Sequence, residues 1–180
     1  MKPLQTNAVI SRLAHELRDH GSWCGETHLQ KAIYLLQAMT HVNIGFEFVL
    51  YKHGPFSFDL RDQLTAMRAN ELLELELQPQ PFGPKLRPTI LAGQLEAKFP
   101  RTLGEFSAQI SFIAETVGSK GVSELERLAT ALFITVGDGA LSVMDRAQRL
   151  HQLKPHIPVN DAQAAVNEID VLLSKASKLH

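Results

Sequence analysis

Hydrophobic residues recur at helical spacing in two segments near the start of the chain. Residues 6 to 19 place their apolar side chains along one side, and this predicted helix should end at Gly21. A second helix follows, and Thr27 with Gln30 three positions later has the pattern of a capping box at its start. Two consecutive helices are therefore predicted before residue 40.

The second helix has one apolar and one polar face. Leu29, Ile33 and Leu36 fall on the apolar face. The opposite stripe carries Gln30, Lys31, Tyr34 and Gln37. This pattern predicts a half-buried helix.

The stretch LYKHGPFSFDL, residues 50 to 60, follows an alternating segment and precedes another helical one. The alternation over residues 46 to 51 predicts a short strand with one buried face. Gly54 and Pro55 are predicted to form a turn, after which Ser57 caps a helix running to about Ala69. This third helix should bury Leu60, Leu64 and Met67 and expose Arg61, Thr65 and Arg68.

A leucine-rich segment then predicts a hairpin. In LLELELQ, strict alternation directs Leu73, Leu75 and Leu77 inward, and KLRPT is the expected partner strand before a helix capped by Thr89. Helix, helix, strand, helix, hairpin, helix is the order of a winged-helix-like domain. The predicted fold is therefore mainly α with a small β hairpin (α+β), winged-helix-like over residues 1–100.

The second half, residues 101–180, is predicted to be a helical extension packed on the first, the two forming either separate units or one continuous domain. Capping boxes are expected at Thr102, Ser123 and Asn160, and a helix is expected over roughly 140 to 153. A stripe of apolar residues in the last helix must cover the chain's own core or a partner, including a second copy of the chain: Ala165, Ile169, Leu172 and Ala176.

Composition narrows the function classes. Eighteen basic and nineteen acidic residues give a net charge of -1, which disfavours generic nucleic-acid binding. One cysteine rules out an intramolecular disulfide, and no signal peptide or membrane-spanning run is present, so a cytoplasmic protein that does not enter a membrane is expected. No enzymatic or cofactor-binding motif occurs, so we expect neither catalysis nor a cofactor.

Two clusters carry chemistry that must be weighed. His15, His20, Cys24 and His28 include zinc-binding residue types, but their spacing is irregular, and no metal site is expected. His53 and Ser57, with Asp59 or Asp62, could form a base and nucleophile pair. Capping explains Ser57 without catalysis, and the helix dipole explains Asp59.

Two binding surfaces remain. A nucleic-acid surface would use the exposed stripe of the third helix and the hairpin tip: Arg61, Thr65, Arg68, Lys85 and Arg87. A protein-binding surface would use aromatic residues in or beside turns, which are either lids of the core or interface anchors: Trp23, Tyr51, Phe56 and Phe82.

These segments resemble a known family. THLQKAIYLLQ, then GFEFVLYKHGPFSFDLRDQLTAM and a leucine-rich ELLEL, are similar to the YwgA-like and Panacea (SocA-like antitoxin) domains of bacteria and phages. Leu29, Gln30 and Lys31 match the family's Leu-Gln-Lys helix. The family's turn is matched by Tyr51, Gly54, Pro55, Phe56 and Ser57. The match is good over residues 27 to 75, with a fainter echo at 152 to 156.

The resemblance implies a non-catalytic domain of toxin-antitoxin or phage-related loci that holds a partner protein, for example a toxin. The candidate contact residues for a cognate protein are Lys31, Tyr34, Tyr51, Lys52, His53, Phe56 and Arg61, with Gly54, Pro55 and Ser57 as the turn and cap that shape the surface. The alternative function is that of a winged-helix DNA-binding transcriptional regulator. A homodimer through the C-terminal helices is a further candidate assembly.

Overall fold

The computed structural model describes residues 1–137 and 141–179. The helices in these residues are α1 (Pro3–Asp19), α2 (Glu26–Thr40), α3 (Phe58–Ala69), α4 (Ile90–Ala97), α5 (Pro100–Glu105), α6 (Ser107–Val117), α7 (Val122–Gly137), α8 (Val143–Leu153) and α9 (Val159–Ala176). The strands are β1 (Val49–Tyr51), β2 (Gly54–Phe56), β3 (Leu73–Glu76) and β4 (Lys85–Pro88).

The predicted fold class is confirmed. The chain is mainly helical and carries two small antiparallel hairpins, β1 with β2 and β3 with β4. Along the chain, α1 and α2 are followed by a hairpin, α3, a second hairpin and α4. This is the predicted winged-helix-like order with one additional hairpin.

The additional hairpin corrects the prediction that Gly54 and Pro55 form a turn. Tyr51 pairs with Gly54, so Lys52 and His53 make the turn and Gly54 begins the return strand β2. Strand β1 is also shorter than the predicted segment 46 to 51, although the alternation of less and more exposed side chains along that segment is as expected. The motif therefore folds back on itself before it enters α3.

Helix α3 has the predicted faces and start. Leu60, Leu64 and Met67 are buried. The hydroxyl of Ser57 accepts a hydrogen bond from the Leu60 N–H at 3.2 Å, and the side chain of Thr89 caps α4 in the same way. Both helices therefore begin at the N-cap residues that the sequence predicted.

The inward orientation predicted for Leu75 and Leu77 is wrong. Leu73 is buried, but Leu75 is 40% and Leu77 82% exposed. Hairpin β3–β4 has two strands, and it packs against α1, α3 and α4. Alternation shows that side chains share a face but does not show how far along the strand that face is covered.

The predicted capping boxes are also wrong. Gly25, not Thr27, precedes α2, while Thr102, Ser123 and Asn160 lie inside α5, α7 and α9. Helix α5 begins earlier, at Pro100, where the fixed φ of proline suits a first helical turn. The N-cap of α8 is Ser142, and the predicted start of that helix at residue 140 lies outside the described residues.

The C-terminal helices pack on the first half of the chain. Helix α6 contacts α1 and α2, and α7 contacts α2, β2 and α9. The apolar stripe of α9 consists of Ala165, Ile169, Leu172 and Ala176, and all four residues are buried in the chain's own core. This core is one cluster of residues from both halves of the chain. Within the described residues, no helix combines the length and apolar character needed to cross a membrane.

Candidate functional site

Gln30 connects α2 to the start of α3. Its side chain is fully buried, and its amide makes two hydrogen bonds with the backbone of Ser57. The Gln30 Nε2 donates to the Ser57 carbonyl at 2.9 Å, and the Ser57 N–H donates to Gln30 Oε1 at 2.9 Å. One side chain thus bonds both backbone groups of the residue that caps α3, and it is the partner of the Ser57 N–H, while the carbonyl also accepts from the Arg61 N–H at 3.1 Å.

Two buried lysines donate hydrogen bonds to backbone carbonyls of the β1–β2 hairpin. The Lys31 Nζ donates to the Pro55 carbonyl at 2.8 Å. Lys154 directly follows α8, and its Nζ donates to the Tyr51 carbonyl at 2.6 Å and to the Lys52 carbonyl. Both lysines are buried, so the backbone of this short hairpin is fixed by side chains from two distant segments.

Glu126, on α7, is the buried acid of this region. Its Oε1 lies 3.5 Å from the Lys154 Nζ and 3.4 Å from the His156 Nε2, and its Oε2 lies 3.8 Å from the His53 Nδ1. Both histidine side chains are well exposed, whereas Glu126 and Lys154 are buried. We call Lys31, Lys154 and Glu126 the lysine cluster.

Burial changes the proton affinity of Lys31. Desolvation lowers its pKa from the ordinary 10.5 to about 8; the nearby Glu126 opposes this shift and the positive charge of Lys154 adds to it. Below pH 8 the folded chain therefore holds a buried ammonium group that the unfolded chain would solvate.

This pKa predicts a pH-dependent stability. Between pH 8 and 10.5 the unfolded chain keeps a proton that folded Lys31 has lost, so the free energy of unfolding should rise with pH in this window. Relative to Lys31→Met, which removes the titrating group, the wild type should gain about 2 kcal/mol between pH 7.5 and 9.5. Urea denaturation of both proteins across this range measures the difference, and parallel pH profiles would contradict it.

Gly54 brings the hairpin close to α7. Its φ is +84°, and a Cβ placed on it would lie 2.9 Å from the Thr130 Oγ1 and 3.4 Å from the Glu126 carbonyl oxygen. The left-handed backbone and the contact with a helix both require glycine at this position.

Three aromatic side chains from the hairpin and the start of α3 are in mutual contact: Tyr51, Phe56 and Phe58, which we call the aromatic patch. Their ring centroids are 5.2 to 5.8 Å apart, and Tyr51 and Phe58 are 49% and 44% exposed. The Arg61 guanidinium lies 5.3 Å from the Phe58 ring centroid. Aromatic residues held together yet half exposed are typical of binding surfaces.

A cavity of about 230 Å³ lies between the hairpin and the start of α2. We call it the hairpin cavity; it is lined by Glu26, Thr27, Lys31, Tyr51, Lys52, His53, Gly54 and Phe56. The aromatic patch and the hairpin cavity share Tyr51 and Phe56.

The structure separates the predicted protein-contact residues into two groups. Lys31 and Tyr34 are buried, at 2% and 6% exposed, so the half-buried interpretation of α2 is wrong and these two side chains are no part of an outer face. Lys31 donates a hydrogen bond to the Pro55 carbonyl of the hairpin, and Tyr34 packs against Phe48 and Phe133. The other predicted residues reach the surface fully or in part: Tyr51, Lys52, His53, Phe56 and Arg61.

Several residues of the predicted nucleic-acid surface have partners in the chain. Arg61 pairs with Asp62 at 2.8 Å, and Arg87 pairs with Glu74. The Lys85 Nζ lies 4.5 Å from the Trp23 ring, which also contacts Phe82.

Thr65 and Arg68, the other two residues of that surface, line an open groove of about 970 Å³ between α3 and hairpin β3–β4. The acidic residues Glu71 and Glu74 line the same groove. These carboxylates reduce the positive charge that a phosphate backbone would meet.

The histidines and cysteine near the N-terminus have separate environments. The His15 Nδ1 lies 2.8 Å from Glu96, and the His20 Nδ1 lies 2.8 Å from the Glu16 carbonyl oxygen. Burial raises the pKa of Cys24 to about 12 and lowers the pKa of the buried His28. Within residues 1–137 and 141–179, no three His, Cys, Asp or Glu side chains form a group that could hold a metal ion.

The candidate nucleophile Ser57 is buried, and its hydroxyl accepts the capping hydrogen bond from Leu60. The His53 Nδ1 lies 3.8 Å from the Glu126 Oε2. The local role of Ser57 is therefore the cap of α3.

Three residues of the site were not predicted: Phe58, Glu126 and Lys154. Phe58 is the first residue of α3, and an aromatic directly after an N-cap, beside Phe56, is a usable sequence signal for this patch. Lys154 lies in the segment 152–156 that echoes the family. Glu126 lies in a regular amphipathic helix and gave no such signal.

No protein-family model matches this chain, and no curated protein matches it. The resemblance to the YwgA-like and Panacea domains stays a prediction, based on the residues quoted above. Two of its motifs are in direct contact here, because Gln30 and Lys31 of the Leu-Gln-Lys helix bind the backbone of Ser57 and Pro55 in the turn.

Proposed function

We propose that this chain is a non-catalytic protein-binding module that neutralises a partner protein in the manner of an antitoxin. The observation that carries the proposal is the aromatic patch, in which Tyr51 and Phe58 are about half exposed while in ring contact with each other and with Phe56. Clustered aromatic side chains supply much of the binding energy of protein interfaces.

The way the patch is held favours this function. The backbone of its hairpin is fixed by Lys31 and Lys154, and the start of α3 is fixed by Gln30. A surface ordered before binding loses little conformational entropy on association, which favours tight and stoichiometric binding. The family resemblance adds the expectation that the partner is a toxin encoded in the same locus.

The patch predicts which variants lose binding. Tyr51→Ala combined with Phe58→Ala should weaken binding to the product of the neighbouring gene by about 30-fold or more, because two central aromatic contacts are removed. Isothermal titration calorimetry with the purified pair measures the change.

Ile90→Ala is the matched control, since Ile90 is 84% exposed and belongs to α4, which contributes no residue to the aromatic patch. This control should retain wild-type affinity. Equal affinity of the double variant and the wild type would contradict the proposal.

The alternative, a DNA-binding regulator, has weaker support because Arg61 and Arg87 already pair with carboxylates. It requires duplex affinity that falls steeply with salt and that decreases in Arg61→Ala plus Arg68→Ala. The protein-binding proposal predicts that these two substitutions leave any weak duplex binding unchanged.

A further inference from the structure

Among residues 1–137 and 141–179, one positive charge of the lysine cluster has no buried counter-charge. Lys31 and Lys154 are 2% and 6% exposed, and Glu126, at 6%, is the carboxylate that faces them. Two ammonium groups and one carboxylate leave a net charge of +1 below the pKa of Lys31. Buried charges in folded proteins are normally paired, so this net positive charge favours the binding of an anion.

The hydrogen bonds of Lys31 are consistent with such an anion. An ammonium group has three N–H donors. Among the described residues, the hydrogen-bond acceptor of the Lys31 Nζ is the Pro55 carbonyl, at 2.8 Å. Two donors thus remain for a ligand, and Lys31 lines the hairpin cavity.

The surroundings of the hairpin cavity suit a small anion with an apolar part. Its volume of about 230 Å³ is many times that needed by one ordered water, which is about 10–15 Å³. Lys52 and His53 add basic groups, while the rings of Tyr51 and Phe56 provide apolar wall. Thr27, one turn before Lys31, lies in the first turn of α2, which has no side-chain cap and whose dipole favours an anion.

The charge count selects a monoanion. A phosphate dianion would exceed the single uncompensated charge of the lysine cluster. We propose that the hairpin cavity is a binding site for a carboxylate, held by Lys31 and flanked by Tyr51 and Phe56. The carboxylate is either that of a free small molecule or an acidic side chain of a bound protein.

Propionate is the probe, because it has the end group of a glutamate side chain. In NMR titrations of the full chain at pH 7 and constant ionic strength, amide signals of residues 26–31 and 51–56 should shift saturably with propionate. The isosteric neutral propionamide should give no saturable shift. Lys31→Met should weaken propionate binding by about tenfold or more, since the charge is lost and the stem is kept. Lys85→Met, at a lysine on the other hairpin, should bind like the wild type.

A second readout uses the wild type alone, should Lys31→Met not fold. In the free chain, the titratable groups near Lys31 are those of Glu126, Lys154, Lys52, His53 and Glu26. Saturating propionate should raise the pKa of Lys31 above its value in the free chain. The 13Cε signal of Lys31 measures this pKa. Absence of a saturable propionate shift, an equal shift with propionamide, or an unchanged Lys31 pKa would overturn the proposal.

The source of the carboxylate is decided by a capped Gly-Glu-Gly peptide and its Gly-Gln-Gly analogue. Binding of the glutamate peptide at least as tightly as propionate, with none of the glutamine peptide, indicates a protein side chain. Exclusion of both peptides while propionate binds indicates a free small molecule. This inference goes beyond the proposed function. Propionate binding is measured without a partner protein, so the carboxylate site and the binding of a partner protein can each be disproved without the other.

Discussion

Gly54→Ala should lower the free energy of unfolding by about 3 kcal/mol or more. The φ of +84° costs a residue with a Cβ about 1–2 kcal/mol. The new methyl would also lie 2.9 Å from the Thr130 Oγ1, so the hairpin must move away from α7, and such overpacking typically costs about 1–3 kcal/mol. Urea denaturation followed by circular dichroism measures the loss.

Gly45→Ala separates the two causes. Gly45 has a similar φ of +95°, but a Cβ there would meet nothing within 4 Å. It should cost only the backbone strain, about 1–2 kcal/mol. Adding Thr130→Ala to Gly54→Ala removes the nearest atom and should recover part of the stability, a non-additive result. Equal losses at both glycines would show that the hairpin does not pack tightly on α7.

Gln30→Ala should cost about 2 kcal/mol, because it leaves the buried N–H of Ser57 without a partner, whereas the Ser57 carbonyl still accepts from the Arg61 N–H. Gln37 is the matched control. It makes the same kind of bonds, to the backbone of Gly45 and Phe46, but at a partly exposed position where water can replace it. Gln37→Ala should therefore cost only about 1 kcal/mol.

Gln30→Glu tests the same contact without a change of shape. A carboxylate still accepts from the Ser57 N–H but cannot donate to its carbonyl, and it places a charge in a fully buried site. We expect a loss at least as large as that of Gln30→Ala. A loss below 1 kcal/mol in both Gln30 variants would mean that α3 is positioned without this glutamine.

Local patterns predicted the elements whose structure depends on neighbouring residues. The cap at Ser57, the buried face of α3, the cap at Thr89 and strand β4 all formed as expected. The prediction failed where a distant segment decided the outcome. Helix α2 has a polar stripe that would normally face water, but Gln30 and Lys31 are buried because they satisfy the backbone of the hairpin.

The candidate site could be predicted only in part for the same reason. Tyr51 and Phe56 were identifiable as aromatics beside a turn, and both lie in the aromatic patch. The buried residues that bind the hairpin could not be predicted from the spacing of residues in the sequence, since Lys154 lies about a hundred residues from the hairpin carbonyls that it binds. Periodicity gives the face of a helix but not the segment that packs on it.

The growth of a host cell that expresses the product of the neighbouring gene tests the proposed function most directly. We expect that product to arrest growth, and co-expression of this chain to restore it through a stoichiometric complex. Tyr51→Ala with Phe58→Ala should fail to restore growth while remaining folded, and Ile90→Ala should restore it fully. Rescue by the double variant equal to that by the wild type, or a neighbouring product that is harmless and does not bind this chain, would contradict the account.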